Sequence, residues 1–297
     1  MLRKIFLFAL SFLKVAGARE MTDGSGQRLG LRLHRINRVG PMGAIIEVSQ
    51  DPFIARSIQR YGEWELEISQ FLASEILSLR KPQKVLLLDI GANVGLISLQ
   101  VSKILKRRGF AGSDFSLLCI EPVSTNYDFC SRNLKKIVGE HFKWEVMRFA
   151  LGDQDSDSVI HINNNHFGDS SLLPVFPQVN HREEIVKVMD AKKFSQVYLS
   201  SFDSIVLKCD TQGYDAKILA RIPIEIWNLV SALVVEIESY SDMQESDMEV
   251  CLERFMSFDS CSFSSSDKNQ VSVDEIREVW KSEKHITKNL FLSRTFN

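Results

Sequence analysis

Val85-Leu86-Leu87-Leu88-Asp89-Ile90-Gly91-Ala92-Asn93-Val94-Gly95 decides how this chain is read. A short run that is apolar apart from Asp89 enters a turn with glycine at both ends. Such a run suits a strand covered on both faces, as in a parallel sheet. The turn leads into a helix predicted over residues 94–106, with Gly109 as its C-cap. The alternation then repeats: apolar runs at residues 115–120, 143–151, 205–209 and 232–237, and helices over 125–137 and from Tyr214 onward. Beyond them come a predicted helix at 243–256, a run at 258–263 with a serine-rich turn at 262–266, and a last strand at 290–293. Strands separated by helices predict an α/β fold with an open, doubly wound, mostly parallel Rossmann-like sheet.

Upstream the grammar differs, so residues 1–82 are expected to form an N-terminal extension on a main domain of residues 83–297. Phe53, Ile54, Ile58 and then Leu66, Ile68, Phe71, Leu72 and Ile76 are spaced for two helices meeting at Gly62. Leu2, Ile5, Phe6, Ala9, Leu10 and Leu13 form an amphipathic stretch behind Arg3 and Lys4. Three readings stay open for residues 2–13: packing on the chain's own domain, peripheral contact with a membrane surface, or a signal peptide. The stretch is too short to span a bilayer.

The composition excludes several classes. With 36 Lys+Arg against 38 Asp+Glu the net charge is −2, so nothing supplies the basic excess that phosphate backbones require, and no nucleic-acid partner is expected. Cys119, Cys130, Cys209, Cys251 and Cys261 are odd in number and contain no CxxC pair, which argues against a disulfide framework or a zinc-cysteine site. The chain reads as intracellular and cytoplasmic, with membrane-surface association left open.

Doubly wound sheets bind ligands beyond the carboxyl ends of their strands. After the first run, Gly91 and Gly95 let backbone approach a ligand, and Ala92 and Asn93 lie between them. The dinucleotide pattern GxGxxG is not met, because Asn93 stands at the middle glycine. Asp89 would repel a pyrophosphate and suits a cationic ligand. After the second run Glu121 can accept two hydrogen bonds from a ribose diol, and Pro122 fixes the turn. This order of acid, glycine turn and acid points to S-adenosylmethionine (SAM). His161 and His166 flank a polar stretch expected to be a loop near the ligand, with solvated histidines as the default.

The segments resemble, in order, those of FkbM-type SAM-dependent methyltransferases. Residues 88–95 are similar to the first motif of that family, and Ile120-Glu121-Pro122 with Asn126 and Asn133 to its Glu-Pro segment. Ala150-Leu151-Gly152-Asp153, Ser170-Ser171-Leu172 and Leu207-Lys208-Cys209-Asp210-Thr211-Gln212-Gly213-Tyr214-Asp215 resemble later stretches, and Gly62-Glu63-Trp64-Glu65 a preceding one. The likeness covers residues 51–238, and Gln212 departs from it by standing where many members carry Glu.

The resemblance implies a class I methyltransferase that uses SAM to methylate a hydroxyl on a sugar or glycan, a glycolipid or a secondary metabolite. Asp89, Gly91, Ala92, Asn93, Gly95, Glu121 and Pro122 are expected to hold the cofactor, with Asp153 near the adenine. A hydroxyl must lose its proton to become a good nucleophile, and Asp210 is the expected base, assisted by Lys208 and Glu236. Asp210, Glu236 and Glu238 offer oxygen ligands, but acids at adjacent strand ends are common and no metal is assigned. Trp64 and Glu65 are candidates to close the pocket from the extension. Two other classes remain: an NAD-type oxidoreductase, and a non-catalytic interaction module that keeps the fold. The expected partner is a small-molecule or glycan acceptor.

Overall fold

The computed structural model describes residues 19–22, 28–32, 54, 57–58, 63–79, 84–110, 114–163, 170–173, 181–239, 244–267 and 270–295. Residues 2–13, Gly62 and His166, on which expectations were placed, lie outside them. Strands Arg19–Thr22 and Arg28–Arg32 pair as an antiparallel ribbon.

The main sheet is built from β1 (Val85–Ile90), β2 (Phe115–Ile120), β3 (Lys143–Met147), β7 (Ser204–Cys209), β8 (Val230–Glu238), β9 (Ser260–Ser262) and β10 (Thr287–Ser293). Their spatial order is β3-β2-β1-β7-β8-β10-β9, parallel from β3 to β8, with β10 antiparallel to both of its neighbours. Every residue of β1 and of β7 is buried, as continuous apolar runs require. The fold is thus the expected Rossmann-like α/β arrangement. A seventh, antiparallel strand slots between the fifth and sixth, which distinguishes it from the all-parallel dinucleotide order 3-2-1-4-5-6.

Helix α1 (Leu66–Ser78) buries Ile68, Leu72, Ala73 and Ile76 in one apolar cluster with Leu87, Val101 and Val234, so it lies on the sheet beside α2 (Leu96–Arg107). The opposite face is covered by α4 (Asp215–Arg221), α5 (Glu245–Phe255) and α6 (Val273–Trp280), which contribute Leu219, Phe255 and Trp280 to a second cluster. Helix α3 (Ser124–Ile137) follows β2. All five cysteines are free and buried, Cys119 and Cys209 within strands. Among the described residues, no helix is long and apolar enough to cross a membrane.

Two expectations are corrected. The run at 143–151 breaks after Met147, and its end, β4 (Ala150–Gly152), joins a separate sheet in the order β4-β6-β5 with β5 (Ser156–Asn163) and β6 (His181–Asp190). His161, expected in a loop, is on β5, directly opposite Glu183. The reason is that this small sheet covers only one face: Ile160, Ile162, Val186 and Val188 pack inward while Asp157 and Lys187 meet as an exposed ion pair outside. Such strands lack the continuous apolar run that marks a central strand.

Candidate active site

A cavity of about 470 Å³ opens beyond the carboxyl ends of β1, β2, β7 and β8. Its walls include Gly91, Ala92, Asn93, Glu121 and Pro122 on one side and Lys208, Asp210, Gln212 and Glu236 on the other. Trp64 and Glu65 line it from before α1, and Ser170 to Leu173 from after β5.

The turn after β1 is held in a conformation that few sequences tolerate. Gly91, Asn93 and Gly95 all have positive φ, at 75°, 51° and 82°. The Gly91 and Ala92 amides donate to the Ile120 carbonyl, which binds the turn to the end of β2. A Cβ on Gly91 would sit 1.8 Å from the Asp210 backbone oxygen, so the strand ends of β1 and β7 meet only because residue 91 has no side chain. Gly95 serves packing: it lies outside the cavity lining, at the start of α2, and a Cβ there would come 2.9 Å from Cys130 Sγ.

Glu121 is buried and organises the turn. One carboxylate oxygen accepts from the Asn93 amide at 2.8 Å and the other from the Val123 amide at 2.9 Å. Burial pushes its carboxyl up to about 7, although those two amides favour the charged form.

Asp89 and Asp153 are not on the cavity walls. Asp89 is fully buried, accepts from Ser98 Oγ at 2.7 Å and faces Lys208 Nζ at 3.5 Å, so its charge supports the sheet interior rather than meeting a ligand directly. Asp153 lies in the bend after β4.

Lys208 is buried and central. Its ammonium lies 3.2 Å from Asp210 and donates to the Gly91 carbonyl at 3.0 Å. Burial alone would pull its pKa down, but Asp210, Asp89 and Glu65 outweigh this and hold it above the ordinary lysine value. Gln212, at φ 56°, donates from Nε2 to Asp210 at 2.9 Å and to Glu236 at 2.8 Å. One amide thereby spaces two carboxyls that would otherwise repel each other.

Glu236 is pushed up to about 10 by burial and then by Asp210, Asp215, Glu238 and Glu65, which favours its protonated form at neutral pH. Burial, then Asp210, lifts Glu65 to about 7. Burial lifts Asp215 to about 6.

A stability test follows from Glu236. Its folded value lies above the unfolded one of 4.5, so its favourable contribution is complete below about pH 4.5 and is lost as pH rises toward 10. Glu236→Gln keeps an oxygen for Gln212 and removes this dependence. The variant should gain on the order of 2 kcal/mol near pH 8 and nothing near pH 4.5, measured by urea unfolding across that range. An advantage that does not vary with pH would refute the protonated state.

Sequence reasoning missed Thr211, Tyr214, His285 and Thr287, which also line the cavity. His285 Nε2 lies 2.7 Å from Glu238 Oε1, and Thr287 pairs with Glu238 across β8 and β10. The available signal was position: Thr211 and Tyr214 flank Gln212, and His285 precedes the last strand.

Gln100 fixes the entrance. From α2 it donates to the Trp64 carbonyl at 2.7 Å and to Ser69 Oγ at 2.7 Å, and it accepts from the Trp64 amide at 3.1 Å. That clasp holds Glu65 in its left-handed conformation at the start of α1, facing the cavity.

No family model matches the sequence, and no curated protein matches it either. Similar solved structures include the methyltransferase FkbM from Methylobacillus flagellatus KT, at 13% identity and TM-score 0.41 over 72% of this chain and 44% of that one. Another is the precorrin-6y C5,15-methyltransferase from Geobacter metallireducens GS-15, at 10% identity and TM-score 0.36, covering 80% of this chain and 95% of that one. A third is the magnesium protoporphyrin IX methyltransferase from Synechocystis PCC 6803 with bound SAM, at 8% identity and TM-score 0.37 over 77% and 78%. The chain spans less than half the length of the first of these. Sheet order and strand direction, rather than these distant likenesses, carry the fold assignment.

Proposed function

We propose that the protein is a SAM-dependent methyltransferase acting on a hydroxyl of a sugar or glycan, a glycolipid or a secondary metabolite. The observation that carries this reading is one cavity with a glycine turn tied to buried Glu121 on one wall and Asp210, Gln212 and Glu236 on the other. The residues fit the cofactor. Asn93 Oδ1 and Thr211 Oγ1, on residues of the cavity wall, are buried without a hydrogen-bond partner among the described residues. Buried polar atoms of that kind call for a ligand that satisfies them. Carboxyls around the cavity favour a sulfonium cation and disfavour the pyrophosphate of NAD, the runner-up reading.

When bound, SAM supplies an activated methyl group, so that an oxygen–carbon bond forms as the carbon–sulfur bond breaks. Gly91, Asn93 and Glu121 bind and orient the cofactor. Asp210 accepts the proton of the acceptor hydroxyl, held in position by Lys208 and Gln212. Protonated Glu236 donates a hydrogen bond that positions the acceptor. Fixing both reactants in one geometry supplies much of the acceleration such a transfer needs. The extension before the sheet contributes Trp64 and Glu65 to the entrance.

Calorimetric titration with SAM, its demethylated product and NAD tests the reading. SAM and product should bind at micromolar levels, NAD should not, and Glu121→Ala should weaken SAM about 100-fold or more by removing the group that sets the Asn93 turn. Asp210→Asn should keep SAM affinity and lose turnover; full turnover would end its assignment as base. Folded protein that ignores SAM would overturn the proposal, pointing to an oxidoreductase if NAD binds and to an interaction module if neither does.

A further inference from the structure

Outside the cavity, β5 and β6 bring His161, His181 and Glu183 together on the outer face of the small sheet. His161 stands directly opposite Glu183, and His181 lies two residues before Glu183 on the same strand, so backbone register alone puts all three on one side. Glu183 Oε1 is 3.4 Å from His161 Nδ1 and 3.8 Å from His181 Nε2, and all three atoms lie within 4.8 Å of one another. The His161 and His181 rings meet edge to face with centroids 5.5 Å apart.

A cross-strand His–Glu pair that existed for its own sake would close to a hydrogen bond, as His285 and Glu238 do at 2.7 Å. His161 Nδ1 does not: it is a buried ring nitrogen without a hydrogen bond among the described residues, facing a carboxylate oxygen slightly too far away. The 3.4 Å spacing of His161 Nδ1 and Glu183 Oε1 matches a different requirement. Ligand atoms about 2.0–2.2 Å from a tetrahedral zinc ion stand roughly 3.3–3.5 Å from each other. Two imidazoles and one carboxylate are also the donors that zinc-like ions select over magnesium or calcium.

We infer that His161 Nδ1, His181 Nε2 and Glu183 Oε1 form a three-ligand site for a zinc-type divalent ion, with its fourth position open to solvent on the side where Glu183 is exposed. The site is separate from the proposed methyl-transfer chemistry and does not depend on it. It is tied to the cavity mechanically. The His161 amide donates to the Ser171 carbonyl at 2.8 Å, the Ser171 amide returns a bond at 3.0 Å, and Ser171 Oγ donates to the Gln212 carbonyl at 2.7 Å. An ion fixing His161 therefore steadies the segment that runs over Gln212.

The test uses the full chain, stripped of metal by chelation, with Zn²⁺ followed by calorimetry and Co²⁺ by its visible absorption. One ion per chain is expected, with cobalt bands of four-coordinate intensity. At a hundredfold excess over Kd, Zn²⁺ should raise the melting temperature by about 5 °C or more. His161→Ala and His181→Ala should weaken binding about 100-fold or more, and Glu183→Gln at least about tenfold. Glu183→Gln alters one exposed side chain, so it reports on binding even if a histidine variant fails to fold; His141→Ala, on a remote turn, should bind as the parent does. Absence of stoichiometric binding, or binding that Glu183→Gln leaves unchanged, would overturn the inference.

Discussion

Lys208→Met should lower stability by about 3–5 kcal/mol, the largest loss expected from one conservative-volume change in this chain. The ammonium is the shared counter-charge for Asp89 at 3.5 Å and Asp210 at 3.2 Å, and it also satisfies the Gly91 carbonyl. Methionine fills similar space but leaves Asp89, fully buried, without a cation. The cost of an unpaired buried charge exceeds anything a new apolar contact returns. Urea unfolding measures it, and a second variant explains it: Lys208→Met with Asp89→Asn should recover a substantial part, because the stranded charge is gone. If the double variant is no better than the single one, the loss has another origin.

Gly91→Ala should cost about 2–4 kcal/mol and abolish SAM binding at micromolar protein. Two penalties add. Alanine is strained at φ 75°, and its Cβ would lie 1.8 Å from the Asp210 oxygen, which nothing flexible can relieve because the obstacle is backbone. The end of β7 must move away, carrying Asp210 and Lys208 with it. Gly109→Ala provides the contrast: its φ is also positive, at 71°, but a Cβ there meets nothing within 4 Å. It should show only the conformational penalty, about 1 kcal/mol, with binding intact. Equal losses in the two variants would show that strain alone, and not the close approach of two strands, governs Gly91.

The central strands were legible because burial on both faces leaves a mark that needs no partner to interpret: the runs at 85–90 and 205–209 are apolar for packing reasons alone. Glu121 was legible for a related reason, since a carboxylate directly after such a run has few structural uses. Asp89 was read as facing a ligand, yet one residue of strand phase decides between the cavity and the sheet interior, and the apolar residues around it carry no phase. The small sheet was illegible because Ser156–Asn163 and His181–Asp190 are polar on one side, and their register is set by each other. Helix α6 did carry a local signal, the Ser272–Glu275 capping box, that sequence reading passed over. The Gln212 bridge had no local signal: an amide linking Asp210 to Glu236 exists only after β7 and β8 lie side by side.

The clasp between Gln100 and Trp64 bears on how this chain can be divided. Sequence grammar draws a boundary at residue 82, but Gln100 is buried on the far side of it, with its amide spent on Trp64 and Ser69. A fragment beginning at residue 83 would strand that amide in an apolar surround and uncover the face that Leu72 and Ile76 now shield. Replacing either side of the clasp alone would leave buried polar groups unpaired, so the stretch from Trp64 to Ile76 and the helix carrying Gln100 can be exchanged only together.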